Sequence, residues 1–178
     1  MEQKLLLAAF AVIVFSSLKA QENVIKANLL GLGYNAIEFS YERVLSKSKS
    51  LELAVAFTSV EANFTSGSKT KVSGFGAEGK YKLYFSSSNE SPRGWYGAPV
   101  LGFSSASGKS GNLEGKVSAF TAGAVAGYQW VFGGNDTGFA LDLNFGAQYI
   151  NAETSGSISG VTLDGVLPRI GLSLGYAF

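Results

Sequence analysis

The chain contains no cysteine and no histidine among its 178 residues. Without cysteine there are no disulfides, no thiolate metal ligands and no thiol nucleophile, and a lipoprotein's acylated cysteine is also excluded. Without histidine the usual general base of serine and cysteine hydrolases is missing. Only 3 prolines interrupt the chain, and only 15% of its residues are charged. The 14 Lys and Arg nearly balance the 13 Asp and Glu. No basic field is left to attract nucleic acid or an anionic surface. Long apolar runs are missing as well, except at the beginning. Leu5–Phe15 is uninterrupted and apolar, follows Lys4, and precedes Ser16, Ser17 and Ala20. That pattern predicts a cleavable secretory signal over 1–20. Crossing a bilayer as a helix takes about 20 apolar residues, and this run is too short. The mature chain is then expected to be a single domain over 21–178.

What is abundant is glycine, 23 residues, together with 13 Phe and 8 Tyr in strict alternation with small or polar residues. Period-2 runs separated by Gly/Ser/Asn/Asp clusters predict strands. Eight are expected: Val24–Leu32, Ala36–Leu45, Leu51–Val60, Val72–Phe85, Trp95–Ser104, Val117–Phe132, Phe139–Ile150 and Val166–Phe178. In most of them one parity is bulky and apolar, as in Ile170, Leu172, Leu174, Tyr176 and Phe178, and the other is small or charged. The fifth is ambiguous, because Trp95, Leu101 and Phe103 compete with Tyr96, Ala98 and Val100, and Pro99 removes a ladder donor. Nine mid-strand charges share the polar parity: Lys26, Glu38, Glu42, Glu52, Glu78, Lys80, Lys82, Asp142 and Arg169.

Such strands could close as a soluble barrel with its apolar face inside, or as a membrane barrel with that face outside. A soluble barrel needs many charges outside, and this chain has few. An eight-stranded interior is just wide enough for side chains, so the many Phe, Tyr, Trp, Leu and Ile would overfill it. The expected fold is therefore all-β, an eight-stranded antiparallel up-and-down transmembrane β-barrel behind a signal peptide. Connections 46–50, 86–94 and 133–138 are expected to be short periplasmic turns. Those at 61–71, 105–116 and 151–165 are expected to be longer extracellular loops. Tyr41, Tyr81, Phe85, Tyr128, Trp130, Phe139, Tyr176 and Phe178 then fall at periplasmic strand ends as an aromatic girdle.

Segments Gly74–Phe85, Gly94–Phe103, Gly127-Tyr128-Gln129-Trp130 and Gly171–Phe178 resemble small eight-stranded bacterial outer-membrane barrels. That class includes OmpX and the OmpA membrane domain, as well as short barrels grouped only as a domain of unknown function. The terminal strand is similar to the insertion signal read by the barrel-assembly machinery, with Tyr176 and Phe178 at its aromatic positions and Ser173 where that signal usually has Gly. The resemblance implies the outer membrane of a Gram-negative bacterium, with outer-membrane lipid and the assembly machinery as partners. It supplies no activity. Enzymatic barrels of similar size resemble one another in using a histidine base, which this chain lacks.

No catalytic, cofactor-binding or metal-ligating constellation is visible. Gly31-Leu32-Gly33 and Gly74-Phe75-Gly76 precede no helix, so they are not phosphate loops. The nine lumen charges are expected to form a structural salt-bridged network, since buried charges persist only when paired. The expectation is a non-enzymatic outer-membrane barrel with a structural or surface-interaction role, contacting partners through its three longer loops. The alternative is a small channel or ligand-binding barrel using the polar lumen.

Overall fold

A computed structural model describes residues 23–31, 35–63, 69–85, 90–110, 113–133, 137–156 and 162–178. The expected signal segment lies outside these residues. The chain forms eight antiparallel strands: β1 (Asn23–Asn28), β2 (Ala36–Ser46), β3 (Lys49–Asn63), β4 (Lys69–Tyr84), β5 (Gly94–Ser110), β6 (Leu113–Phe132), β7 (Gly138–Gly156) and β8 (Thr162–Ala177). Each strand pairs with its sequence neighbours, and β8 returns to β1 to close the barrel. Closure leaves no open edge along the paired length, which is how a β-only fold satisfies its backbone groups. Asn23 and Phe178 bond each other's backbone in both directions. Their end of the barrel is called the lower end below.

Two expectations are corrected. Segments 61–71, 105–116 and 151–165 are mostly ladder. β3 and β4 stay paired to Asn63↔Lys69, β5 and β6 to Ser110↔Leu113, and β7 and β8 to Glu153↔Thr162. Their Ser, Gly and Thr content looks like loop, but neighbouring strands supply the register and override that local preference. The fifth strand is also resolved. Tyr96, Ala98 and Val100 point inward and are buried, whereas Trp95, Leu101 and Phe103 point outward and are exposed. Pro99 leaves its mark on the ladder: the β4–β5 register runs to Lys80↔Val100 and resumes only at Leu83↔Gly97.

The walls are of unequal height. β1 has six residues and pairs with β8 only from Val24↔Ala177 to Asn28↔Ser173, followed by one bond from the Leu29 N–H to the Leu172 carbonyl. Among the described residues, nothing pairs with β8 on that side over 162–171. Pro168 lies in this stretch, as suits a residue tolerated on edges. β2 likewise begins at Ala36↔Thr58 while β3 continues to Asn63. Among the described residues, the upper barrel is thus walled by β3 to β8, and β1 and β2 stop short of its height.

Candidate functional site: a buried charge cluster beneath an apolar cup

Inward parity brings Lys26, Glu42, Glu52, Lys80, Lys82 and Asp142 from five strands into one cluster. Lys26 Nζ lies 2.7 Å from Glu42, 2.6 Å from Glu52 and 3.0 Å from Asp142. Lys82 Nζ lies 2.9 Å from Glu42, 2.9 Å from Glu52 and 2.6 Å from Asp142. Lys80 Nζ adds a bond of 3.0 Å to Glu52 Oε1. Three ammoniums face three carboxylates, so the cluster is neutral. The side chains of Lys26, Lys82 and Glu42 are wholly buried. Such an arrangement persists only if the remaining lone pairs are also satisfied.

They are. Glu42 Oε1 accepts from Ser50 Oγ at 2.5 Å and from Tyr84 OH at 2.7 Å. Asp142 Oδ1 accepts from Tyr96 OH at 2.7 Å and more weakly from Asn144 at 3.4 Å. The Gln129 carbonyl oxygen accepts from both Lys26 and Lys82, and its amide donates to the Pro92 carbonyl at 2.8 Å. The Lys82 ammonium also sits 4.3 Å from the centre of the Tyr96 ring, a cation–π contact. Glycine makes the packing possible: a Cβ on Gly127 would stand 2.7 Å from the Tyr96 ring, and one on Gly175 would stand 2.6 Å from Lys26 Cγ.

Higher up, Arg169 grips Glu78 through both guanidinium nitrogens at 2.5 and 2.6 Å and donates to Gln148 at 3.0 Å. Lys80 lies 3.5 Å from Glu78 and links the two groups. Glu38 stands apart and accepts from Asn28 at 3.2 Å. The sequence-predicted lumen charges thus divide into a cluster of six, a pair joined to it, and Glu38. Tyr84, Tyr96, Gln129 and Ser50 were not singled out as members. Ser50 and Tyr84 stand on the polar parity one inward step from Glu52 and Lys82, which is the available signal for them, whereas Gln129 lies on a β6 parity that carries no charge.

The bottom of the barrel is closed by an apolar layer of Val24, Val131, Ala140 and Ala177. Residues 90–93, ahead of β5, pack against it. Pro92 is fully buried there, Ser91 Oγ donates to the Ser46 carbonyl, and Arg93 donates to the Val131 carbonyl. Val100, Ala98 and Val125 join Tyr84 and Tyr96 in a second apolar patch inside, so the lumen is not uniformly polar.

The outer face carries a band of exposed apolar side chains including Phe39, Phe57, Phe75, Leu101, Leu143, Phe145 and Ile170. Its upper boundary is sharp. The register pairs Phe57↔Phe75, Phe103↔Phe120 and Tyr149↔Val166 are each followed, one outward step higher, by Ser59↔Ser73, Ser105↔Ser118 and Asn151↔Asp164. Of the predicted lower aromatics, Tyr81, Phe85, Phe139 and Tyr176 are exposed, Tyr128, Trp130 and Phe178 are half-buried, and Trp95 joins them. Tyr128 meets Trp95 edge-to-face and Trp130 at a tilt, with ring centres 5.2 and 4.6 Å apart. Tyr41 shares the outward parity but is 5% exposed, and its hydroxyl donates to Asn23.

Above the boundary the two faces exchange character. Outward residues become polar, as in Ser73, Lys116, Glu153, Ser155 and Asp164. Inward ones become small or apolar, as in Val72, Ala106, Val117, Ala119, Ile150, Ala152 and Leu163, with the hydroxyls of Thr58, Ser104 and Thr154 among them. Glu42, Glu52 and Asp142 bring carboxylate oxygens within 4.8 Å of one another. The place a cation would take between them is already held by the Lys26 and Lys82 ammoniums. The carboxylate oxygens of Glu42, Glu52 and Asp142 are all engaged by donors. No protein-family model matches the chain, and no curated protein matches it significantly in sequence.

Proposed function

We propose that this chain is a non-enzymatic integral barrel of a Gram-negative outer membrane, exported by its N-terminal signal, with a structural or surface-interaction role. The observation that carries the reading is the outward apolar band with a polar edge. From Phe75 to Phe85 on β4 is roughly 33 Å of strand at about 3.3 Å per residue. A tilt of about 40° makes this about 25 Å along the axis, the height of an outer-membrane barrel's lipid-facing band. Water would leave this surface of Phe, Leu and Ile uncovered on all sides, far beyond the patches tolerated by soluble monomers. Lipid covers it. The closing strand β8, with Tyr176 and Phe178, is the segment offered to the assembly machinery, and the tall hairpins β3–β4, β5–β6 and β7–β8 are the surfaces offered to partners outside the cell.

The neutral, fully bonded cluster supports a structural role for the lower lumen. It lies between the apolar layer at the bottom and the Arg169–Glu78 pair above, which opposes a continuous water path. The test is fractionation combined with gel migration. The protein is expected in the outer-membrane fraction, extracted only by detergent, with heat-modifiable mobility. Release by osmotic shock without detergent would overturn the reading. Planar bilayers with purified protein are expected to stay silent, and stable open currents would favour the channel alternative.

A further inference from the structure

We infer that the upper storey of the barrel is a cup for one linear acyl chain of a membrane amphiphile, admitted sideways over the low β1–β2 wall. The inference rests on the membrane reading above, because the bilayer supplies the chain.

Three observations carry it. The first is the exchange of faces. Above the boundary pairs, the wall has the polarity of a soluble barrel, with polar residues outside and Val72, Val117, Ile150 and Leu163 inside, and Leu167 lies one step beneath them at the level of the boundary. An apolar interior in a water-exposed barrel needs something to bury it. The second is that the described residues leave part of it uncovered. The other described inward positions there are short, glycine or alanine as at Gly74, Ala119 and Gly165 and hydroxyl-bearing at Thr58, Ser104 and Thr154, and a Cβ built on Gly165 would meet nothing within 4 Å. Leu163 is left 56% exposed and Leu167 42% exposed, though both point inward. By contrast, the inward side chains of the lower storey are almost wholly buried. An eight-stranded barrel whose own side chains do not fill it has room for one small ligand.

The third observation says which ligand. The outer apolar band and the cup lining meet at the edge of β8 that β1 leaves unpaired. Val166 and Ile170 face outward at 70% and 67% exposure, and Leu163 and Leu167 on the same stretch face inward. This apolar path runs round one strand edge at the level where the band ends. A chain leaving the bilayer surface can follow it without crossing a polar wall. The floor is the Arg169–Glu78 pair, whose charges stop an apolar tail from passing further down.

Photo-crosslinking tests the inference. The full barrel is reconstituted in phosphatidylcholine vesicles containing a lysophospholipid with a diazirine in its acyl chain, and adducts are mapped by mass spectrometry. A second arm adds a diazirine fatty acid from water to vesicles lacking the lysolipid. Saturable adducts on Ala119, Ile150, Leu163 and Leu167 from the lysolipid, suppressed by unlabelled lysolipid, are the expected result. The double variant A119F/A152F is expected to lose at least tenfold of these adducts while keeping heat-modifiable mobility and the outward adducts on Leu143 and Phe145. Outward adducts alone would overturn the cup and leave the membrane reading standing. Cup adducts without outward ones would overturn the membrane reading. Cup adducts from the aqueous fatty acid only would overturn the sideways route. The wild-type map decides the matter even if the double variant fails to fold.

Discussion

At the scale of single residues, the lower lumen is a problem of charge compensation. Lys82 touches Glu42, Glu52 and Asp142 at once. Replacing it by Met keeps the volume and leaves three carboxylates around Lys26 with too few protons between them. Breaking a buried ion pair on one side typically costs about 3–5 kcal/mol. We predict a loss of that order for Lys82→Met in urea unfolding of the barrel, measured by the gel-mobility shift. A loss below about 1 kcal/mol would mean that the cluster is not held as described. Tyr96→Phe is the gentler probe. It takes away the 2.7 Å donor to Asp142 Oδ1 and leaves the 3.4 Å contact from Asn144. Hydrogen bonds to charged groups contribute about 1.5–3 kcal/mol, so a loss of about 2 kcal/mol is expected in the same measurement. Gly127→Val acts by shape alone, since its Cβ would meet both the Tyr96 ring and the Leu143 carbonyl at 2.7 Å. Overpacking of this kind costs about 1–3 kcal/mol, and Tyr96→Phe should relieve it only in part, because the hydroxyl contact goes but the ring and the Leu143 carbonyl remain.

At the scale of elements, legibility in the sequence followed the contrast between the two faces of each strand. β2, β4, β7 and β8 set bulky apolar residues against charges or glycine, and their parity and count could be read directly. β5 could not, because Tyr96, Ala98 and Val100 are apolar and nevertheless inward. They pack with Tyr84 and Val125 across the lumen, a contact no local window contains. The upper hairpins were misread for a related reason. Ser104–Ser110 and Leu113–Ser118 have the composition of loops, but each is held by its neighbour in unbroken register. The same applies to the site. Parity alone placed the lumen charges on one face, but it could not show which height each occupies, and height separates Glu38 from the cluster. Amide exchange tests the element directly. Ser105, Ser107, Val117 and Ala119 are expected to be protected by orders of magnitude relative to unstructured chain, because their amides lie in paired strands. Exchange at free-peptide rates would restore the loop reading for 105–116.

At the scale of the whole molecule, the barrel is two storeys of opposite polarity sharing one continuous sheet. The lower storey is apolar outside and charged inside, and the upper one is polar outside and apolar inside. A sheet has no intrinsic preference for either arrangement, because its period is the same in both. Under the membrane reading proposed above, what sets the difference is the solvent outside. The position of the inversion therefore marks a solvent boundary, and substitution along a single strand can locate it. On β7, Leu143 and Ser155 share the outward parity, below and above the Tyr149 boundary. An arginine facing lipid near the middle of a bilayer costs about 2–4 kcal/mol. Leu143→Arg should destabilise the vesicle-inserted barrel by that amount, and Ser155→Arg should change it by less than about 0.5 kcal/mol, as exposed surface substitutions usually do. In water the outward face of Leu143 would be an ordinary surface site, and arginine there would be harmless or helpful to solubility. Equal, small effects of the two arginines in urea unfolding would thus place the whole outer face in water and remove the lipid that the apolar band requires.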